Sequence, residues 1–170
     1  AAEALAQAAW RGEGRLALAS AHALCALRAP RAVSDWIGLL GHPEGRVRLL
    51  AVDALAGLGG ARAASALVST ARGKGEVKTE LAVKAARALT RWPNRDAVPM
   101  LILALEGAPP VRRYALNVLQ GKTKEEFGPN PESWQTWWLE YGQFGRNTPD
   151  AAAVAGRANP LVDIETWEEQ

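Results

Sequence analysis

Cysteine is nearly absent from this sequence of 170 residues. The single cysteine, Cys25, excludes a disulfide within the chain and a zinc cluster built on several cysteines. Cys25 lies in the apolar run 23–27, which predicts a small buried core residue and not a reactive thiol.

Histidine and long apolar runs are scarce as well. His22 and His42 have no second histidine or carboxylate at a metal-ligand spacing, so we expect neither a metal site nor a cofactor. No apolar run approaches the roughly 18 residues that a membrane-spanning helix needs, so we expect no membrane span. The chain begins at Ala1 and its start is rich in alanine. That is compatible with removal of a signal peptide and slightly favours an exported or periplasmic location.

Aromatic residues make up only 6% of the chain, yet seven of them are Trp, against two Tyr and two Phe. The hydrophobic fraction of 48% excludes disorder for the chain as a whole and supports one domain with a core. The net charge of +2 conceals an asymmetry, because residues 1–121 carry +7 and residues 122–170 carry −5. A basic body with an acidic tail indicates that the two contact each other or that they bind different partners.

A short helical pattern occurs four times. The segments start 31, 34 and 30 residues apart, and each begins with an aliphatic residue and ends with Leu. They cover residues 16–24, 47–55, 81–89 and 111–119. The fifth position is always small: Ser20, Ala51, Ala85 and Ala115. The eighth is Ala23, Ala54, Ala88 and Val118. These positions share one helical face, and the small residue lets a neighbouring helix come close.

Other predicted helices precede these segments, over residues 1–10, 32–40, 61–72 and 96–106, with Gly and Pro between them. The pattern therefore predicts an all-α fold of four helical hairpins that stack into one continuous core. We divide the chain into the repeats at 1–121, a Trp-rich segment at 122–145 and an extended acidic tail at 146–170.

The repeats resemble bacterial HEAT repeats, close to the short type also seen in phycobilisome-lyase-like proteins. The match rests on residues 32–59 and 96–119, in which a Val–Arg pair opens the second helix as Val47-Arg48 and again as Val111-Arg112. The resemblance implies a short right-handed superhelix of α-helical pairs. It implies little about activity, because this family serves mostly as scaffold.

Basic residues on the second helices are the first candidate contact site. In a solenoid these helices line the concave surface, where a basic stripe suits an acidic peptide, nucleic-acid phosphates or the chain's own tail. The residues are Arg48, Lys78, Lys84, Arg87, Arg112 and Arg113. The alternative for Arg48 and Arg112 is structural, as bridges between adjacent repeats through side-chain hydrogen bonds.

The Trp-rich segment and the tail supply further candidates. Trp134, Trp137 and Trp138 share one face of a helix predicted over 132–141. This helix either caps the last repeat or presents a hot spot to a partner. In the tail, Ile164 and Trp167 are suited to anchor an acidic recognition peptide. By contrast, Gly121-Lys122-Thr123 lacks the glycine that a phosphate-binding loop needs at position 116, and is interpreted as a helix end.

These features predict a protein-binding scaffold that is not an enzyme, as a structural or accessory subunit of a larger bacterial assembly. The main alternative is a nucleic-acid-binding HEAT protein of the DNA-glycosylase type, which would use the basic concave face. A chromophore lyase or enzyme accessory protein is a third reading, implied by the resemblance alone.

Overall fold

A computed structural model of the chain describes residues 1–12, 14–27, 32–73 and 77–140. Within these residues the chain forms α-helices and no β-strand, so the all-α prediction is confirmed. None of the described helices has both the length and the apolar character of a membrane span. The helices are α1 (Ala2–Arg11), α2 (Arg15–Ala26), α3 (Val33–Leu39), α4 (Gly45–Leu58), α5 (Ala61–Arg72), α6 (Thr79–Leu89), α7 (Asn94–Ala104), α8 (Pro109–Thr123) and α9 (Pro131–Glu140).

The contacts divide the chain into two compact units, Ala1–Leu67 and Val68–Gln170, with the boundary inside α5. The sequence pattern did not predict this division. Three of the four predicted helix pairs pack closely, namely α1 with α2, α3 with α4, and α7 with α8.

In the first unit, α1 and α2 meet through small side chains. Ala9, Ala17 and Ala21 are fully buried, and α2 also packs on α4. The turn between α1 and α2 requires Gly12, because a Cβ atom there would lie 2.6 Å from the Ala8 carbonyl oxygen and 2.9 Å from the Ala17 nitrogen. Alanine contacts therefore bring α1 close enough to α2 to form a tight hairpin.

The repeat pattern identifies the buried face with two exposed exceptions, and Val118, the eighth position of the fourth segment, is half-buried. The fifth and ninth positions of all four segments are buried. Leu16, the first position of the first segment, is instead 62% exposed, and Ala23 is exposed as well. The reason is that Leu16 and Ala23 lie outside the buried stripe of α2. That stripe consists of Ala17, Ser20, Ala21 and Leu24. Cys25, expected in the core, is only half-buried.

In the second unit, α7 is the central helix. Every residue from Ala97 to Leu105 is buried, and α7 packs against α6, α8 and α9. The end of α5 is joined to the turn after α7 by an ion pair of 2.6 Å between Arg72 and Glu106. Gly107 lies against the same end of α5, where a Cβ atom would be 2.6 Å from the Ala71 carbonyl oxygen.

Candidate functional site

Arg48 closes the turn between α3 and α4. Its Nη1 donates hydrogen bonds to the carbonyl oxygens of His42, at 2.6 Å, and Pro43, at 2.8 Å. These carbonyls follow the end of α3, where helical hydrogen bonding stops and the acceptors need other donors. A single guanidinium group can satisfy two of them because its donors are arranged as a fork.

Arg112 has the same position in its repeat and the same role. Its Nε donates to the carbonyl of Leu105 at 2.9 Å, and its Nη2 to that of Gly107 at 3.4 Å, both in the turn between α7 and α8. These hydrogen bonds stay within one hairpin, unlike the bridge between adjacent repeats expected from the sequence. Each arginine lies in the first turn of its helix, directly beside the preceding turn, so that turn is within reach.

His42 completes the first of these turns. Its Nδ1 accepts a hydrogen bond of 3.0 Å from the backbone amide of Glu44, which fixes the proton of the neutral ring on Nε2. His42 is 2% exposed, and its Nε2 has no hydrogen-bond partner among the described residues. The ring contacts Trp10 of α1, with centroids 5.7 Å apart and planes at 75°. His42 therefore connects the α3–α4 turn to the end of α1.

Arg87 on α6 and Arg113 on α8, with Arg91 in the turn that follows α6, define the α6/α8 basic face. All three side chains are exposed, and the two helices pack against each other. Arg87 lies over the ring of Tyr114, with Cζ 5.6 Å from the ring centroid, and this contact joins α6 to α8 next to Arg113. Over residues 77–124 the chain carries nine basic and three acidic residues, so the surrounding field is positive.

Sequence reasoning identified Arg87 and Arg113 but not the whole surface. Lys78 is exposed but lies at the N-cap of α6, on the opposite side of the helix from Arg87. The sequence does contain a signal for the contact between Arg87 and Tyr114. The second helices of neighbouring repeats are expected to be adjacent, and Tyr114 directly follows the candidate residue Arg113.

The aromatic cluster of Phe127, Trp134, Trp137 and Trp138 lies largely inside the second unit. Trp134 is fully buried, Trp138 is 4% exposed and Trp137 is half-buried. The Trp134 indole N–H donates to the Gly128 carbonyl at 2.7 Å, and Phe127 packs edge-on against Trp134 at 5.1 Å between centroids. Helix α9 packs on α7 through this side. The burial favours the capping role over a hot spot, since only Trp137 keeps substantial exposure.

The segment Gly121-Lys122-Thr123 forms the last turn of α8, which agrees with a helix end and not a phosphate-binding loop. Thr123 Oγ1 donates to the Leu119 carbonyl at 2.8 Å. Lys122 Nζ is bonded to Asn94 Oδ1 at the start of α7, 2.6 Å away. Lys122 and Thr123 thus have structural partners in their own hairpin.

Lys124, the C-cap of α8, adopts a left-handed backbone conformation with φ 65° and ψ 20°. Glycine adopts this conformation without the steric cost of a Cβ atom, so Lys124→Gly should raise the free energy of unfolding by about 0.5–1 kcal/mol. Urea unfolding followed by circular dichroism measures the change. Asn117→Gly, on the exposed side of α8, is the control and should lower the stability. A loss of stability in Lys124→Gly would contradict the argument.

A cleft of about 390 Å³ lies between α1 and α3 in the first unit. Its polar lining consists of the side chains of Glu3, Gln7, Arg11, Ser34 and Asp35, and Trp10 is 52% exposed at its edge. Ala6, Gly38 and Leu39 line the apolar part. No sequence motif indicates this cleft, because its residues on α1 and α3 are about thirty positions apart in the chain.

The remaining predicted contacts lie outside the described residues. These are Ile164 and Trp167 in the tail, together with Tyr141 at the end of the predicted aromatic face. Within the described residues, no group of three or more His, Cys, Asp or Glu side chains is placed to hold a metal ion.

Comparison of the chain with models of protein families, with curated proteins and with solved structures finds no match.

Proposed function

We propose that this chain is a non-catalytic protein-binding module of the HEAT type, whose α6/α8 basic face binds an acidic segment of a partner protein. The observation that carries the proposal is the exposure of Arg87 and Arg113 on two helices that pack side by side, with Arg91 exposed in the turn after α6. Arg48 and Arg112 hold their own turns, so the partner-binding role falls to these three arginines.

The HEAT assignment is supported by local features. Each described hairpin is a pair of short helices, and the second helix has a small buried residue at its centre. The same repeat position carries an arginine that closes the preceding turn in both units, Arg48 in the first and Arg112 in the second. From these local features we propose that the four hairpins form a right-handed superhelix and that α9 caps its last hairpin. Its role would be that of a scaffold, as a structural or accessory subunit of a bacterial assembly.

An acidic protein segment fits the α6/α8 basic face better than nucleic acid does. A guanidinium group binds a carboxylate through two parallel hydrogen bonds, and the ring of Tyr114 orients Arg87 for such planar contacts. Nucleic-acid binders neutralise a succession of phosphates along the backbone. The α6/α8 basic face offers three exposed arginines, and Glu80 lies on the same stripe of α6 as Arg87. A basic surface of this small extent suits a short acidic peptide.

The proposal is tested with the full chain and two labelled probes, a short polyglutamate peptide and a DNA duplex, by fluorescence anisotropy over a range of salt concentrations. We expect the peptide to bind and the double variant Arg87→Glu/Arg113→Glu to bind it about tenfold more weakly, since reversed charges repel the peptide. Arg95→Glu, an exposed change at the start of α7 and off the face, is the matched control and should leave affinity nearly unchanged.

Tighter binding of the duplex than of the peptide, with a steep salt dependence, would replace this proposal with the nucleic-acid alternative. An unchanged peptide affinity in Arg87→Glu/Arg113→Glu would remove the α6/α8 basic face from the function. Gentle purification from the source, followed by mass spectrometry, then identifies the natural acidic partner by comparing this variant with the Arg95→Glu control.

A further inference from the structure

The cleft between α1 and α3 has acidic groups at one end and an aromatic and basic end opposite. Trp10 in the last turn of α1 contacts His42, which follows α3, so the two helices end on the same side. Glu3 and Asp35 lie in the first turns of these helices and therefore share the other end of the cleft. At 1.5 Å per residue, Arg11 lies about 12 Å along α1 from Glu3.

Glu3 and Asp35 are available to a ligand. Neither carboxylate lies within 4.0 Å of a basic nitrogen in the described part of the chain. Trp10 keeps 52% of its surface exposed at the cleft edge. An exposed Trp at one end of a cleft and unpaired carboxylates at the other suit a side chain with a cationic head and an apolar stem.

The geometry points to a binding site for an arginine side chain of a partner peptide in this cleft. The guanidinium group would lie between the carboxylates of Glu3 and Asp35, where charge-assisted hydrogen bonds are strongest. Its aliphatic stem would cover Ala6, Gly38 and Leu39, and the peptide would run past the exposed face of Trp10. Arg11 repels a second cation at the far end, so the site takes one basic residue and fixes the peptide direction.

The volume agrees with this occupant. At about 390 Å³ the cleft is near the lower limit of the roughly 300–1,000 Å³ of ligand pockets, enough for one long side chain but not for a folded element. The charge preference is opposite to that of the α6/α8 basic face, and the two sites lie in different units. This inference therefore goes beyond the proposed function and can fail while the proposed function stands.

Gly38 offers a variant that blocks the cleft without disturbing the fold. It lies inside α3 and lines the cleft, and a Cβ atom added there would meet nothing within 4 Å. Leucine is also a better helix former than glycine, so Gly38→Leu should fold at least as well as the parent chain. Gly57→Leu is the matched control, since Gly57 is an exposed residue of α4 with equally open space and does not line the cleft.

The test is a titration of the ¹⁵N-labelled full chain with two blocked tripeptides, acetyl-Ala-Arg-Ala-amide and acetyl-Ala-Glu-Ala-amide, followed by amide and indole NMR shifts. The Trp10 indole signal is assigned by its loss in Trp10→Phe. With the arginine peptide we expect saturable shifts confined to α1, α3 and the Trp10 indole, with affinity in the millimolar range. The glutamate peptide should cause no saturable shift.

We expect Gly38→Leu to weaken binding of the arginine peptide at least about tenfold, and Glu3→Gln/Asp35→Asn to do the same, while Gly57→Leu and Arg87→Glu/Arg113→Glu bind like the parent chain. Equal shifts with the glutamate peptide, unchanged binding in Gly38→Leu, or no saturable shift at the solubility limit of the arginine peptide would each overturn the inference.

Discussion

Trp134→Ala should lower the free energy of unfolding of the second unit by about 3–5 kcal/mol. Trp134 is fully buried at the junction of α9 and α7, and its removal leaves a cavity that the neighbouring rings cannot fill. The substitution also removes the donor of the hydrogen bond to the Gly128 carbonyl. Urea unfolding followed by circular dichroism at 222 nm measures the loss.

Trp137→Ala is the matched control for this prediction. Trp137 belongs to the same helix and the same aromatic cluster but is only half-buried, so we expect less than half of the loss. If the two variants lost equal stability, or if Trp134→Ala cost under about 1 kcal/mol, α9 would not be the closing element that the burial of its Trp side chains indicates.

Arg48→Met should cost about 1–2 kcal/mol of stability in the first unit. The change keeps most of the aliphatic stem but leaves the carbonyls of His42 and Pro43 without their charged donor. Arg48→Lys should recover only part of the loss, because an ammonium group lacks the planar fork of a guanidinium. Urea unfolding of the full chain measures both variants.

Arg46→Met provides the comparison, since Arg46 is an exposed residue of the same first turn of α4, and the donor to the turn carbonyls of His42 and Pro43 is Arg48. We expect a change within about 0.5 kcal/mol for this surface position. Stability of Arg48→Met equal to that of Arg46→Met would show that the turn is held by other contacts. It would return Arg48 to the set of candidate partner-binding residues.

The helices themselves could be predicted closely from the sequence, because apolar periodicity and the Gly and Pro residues between segments are local signals. Residues 61–72 were predicted as a helix and α5 has the same bounds, while α7 begins at Asn94, two residues earlier than expected. Leu16 was assigned to the core because it aligns with Val47, but alignment does not report how α2 is rotated about its axis. That rotation depends on the alanine contacts with α1.

The candidate sites were predicted less completely, because they depend on which residues meet across the fold. The repeat position of Arg48 and Arg112 was visible, yet their acceptors are backbone carbonyls, which every residue carries and no sequence pattern marks. The cleft beside Trp10 required knowing that α1 lies against α3. The exposure of Arg87 beside Tyr114 required knowing that α6 lies against α8, which the repeat pattern did anticipate.

The hydrogen bonds of Arg48 and Arg112 also bear on how fast the chain folds. Each joins residues only five to seven positions apart, so closing it costs little chain entropy. Local contacts of this kind form early and go with rapid folding, whereas contacts between distant segments slow it. The two turns can therefore close during the earliest steps of folding, one in each unit, and give each hairpin its direction before the remaining helices have found their neighbours.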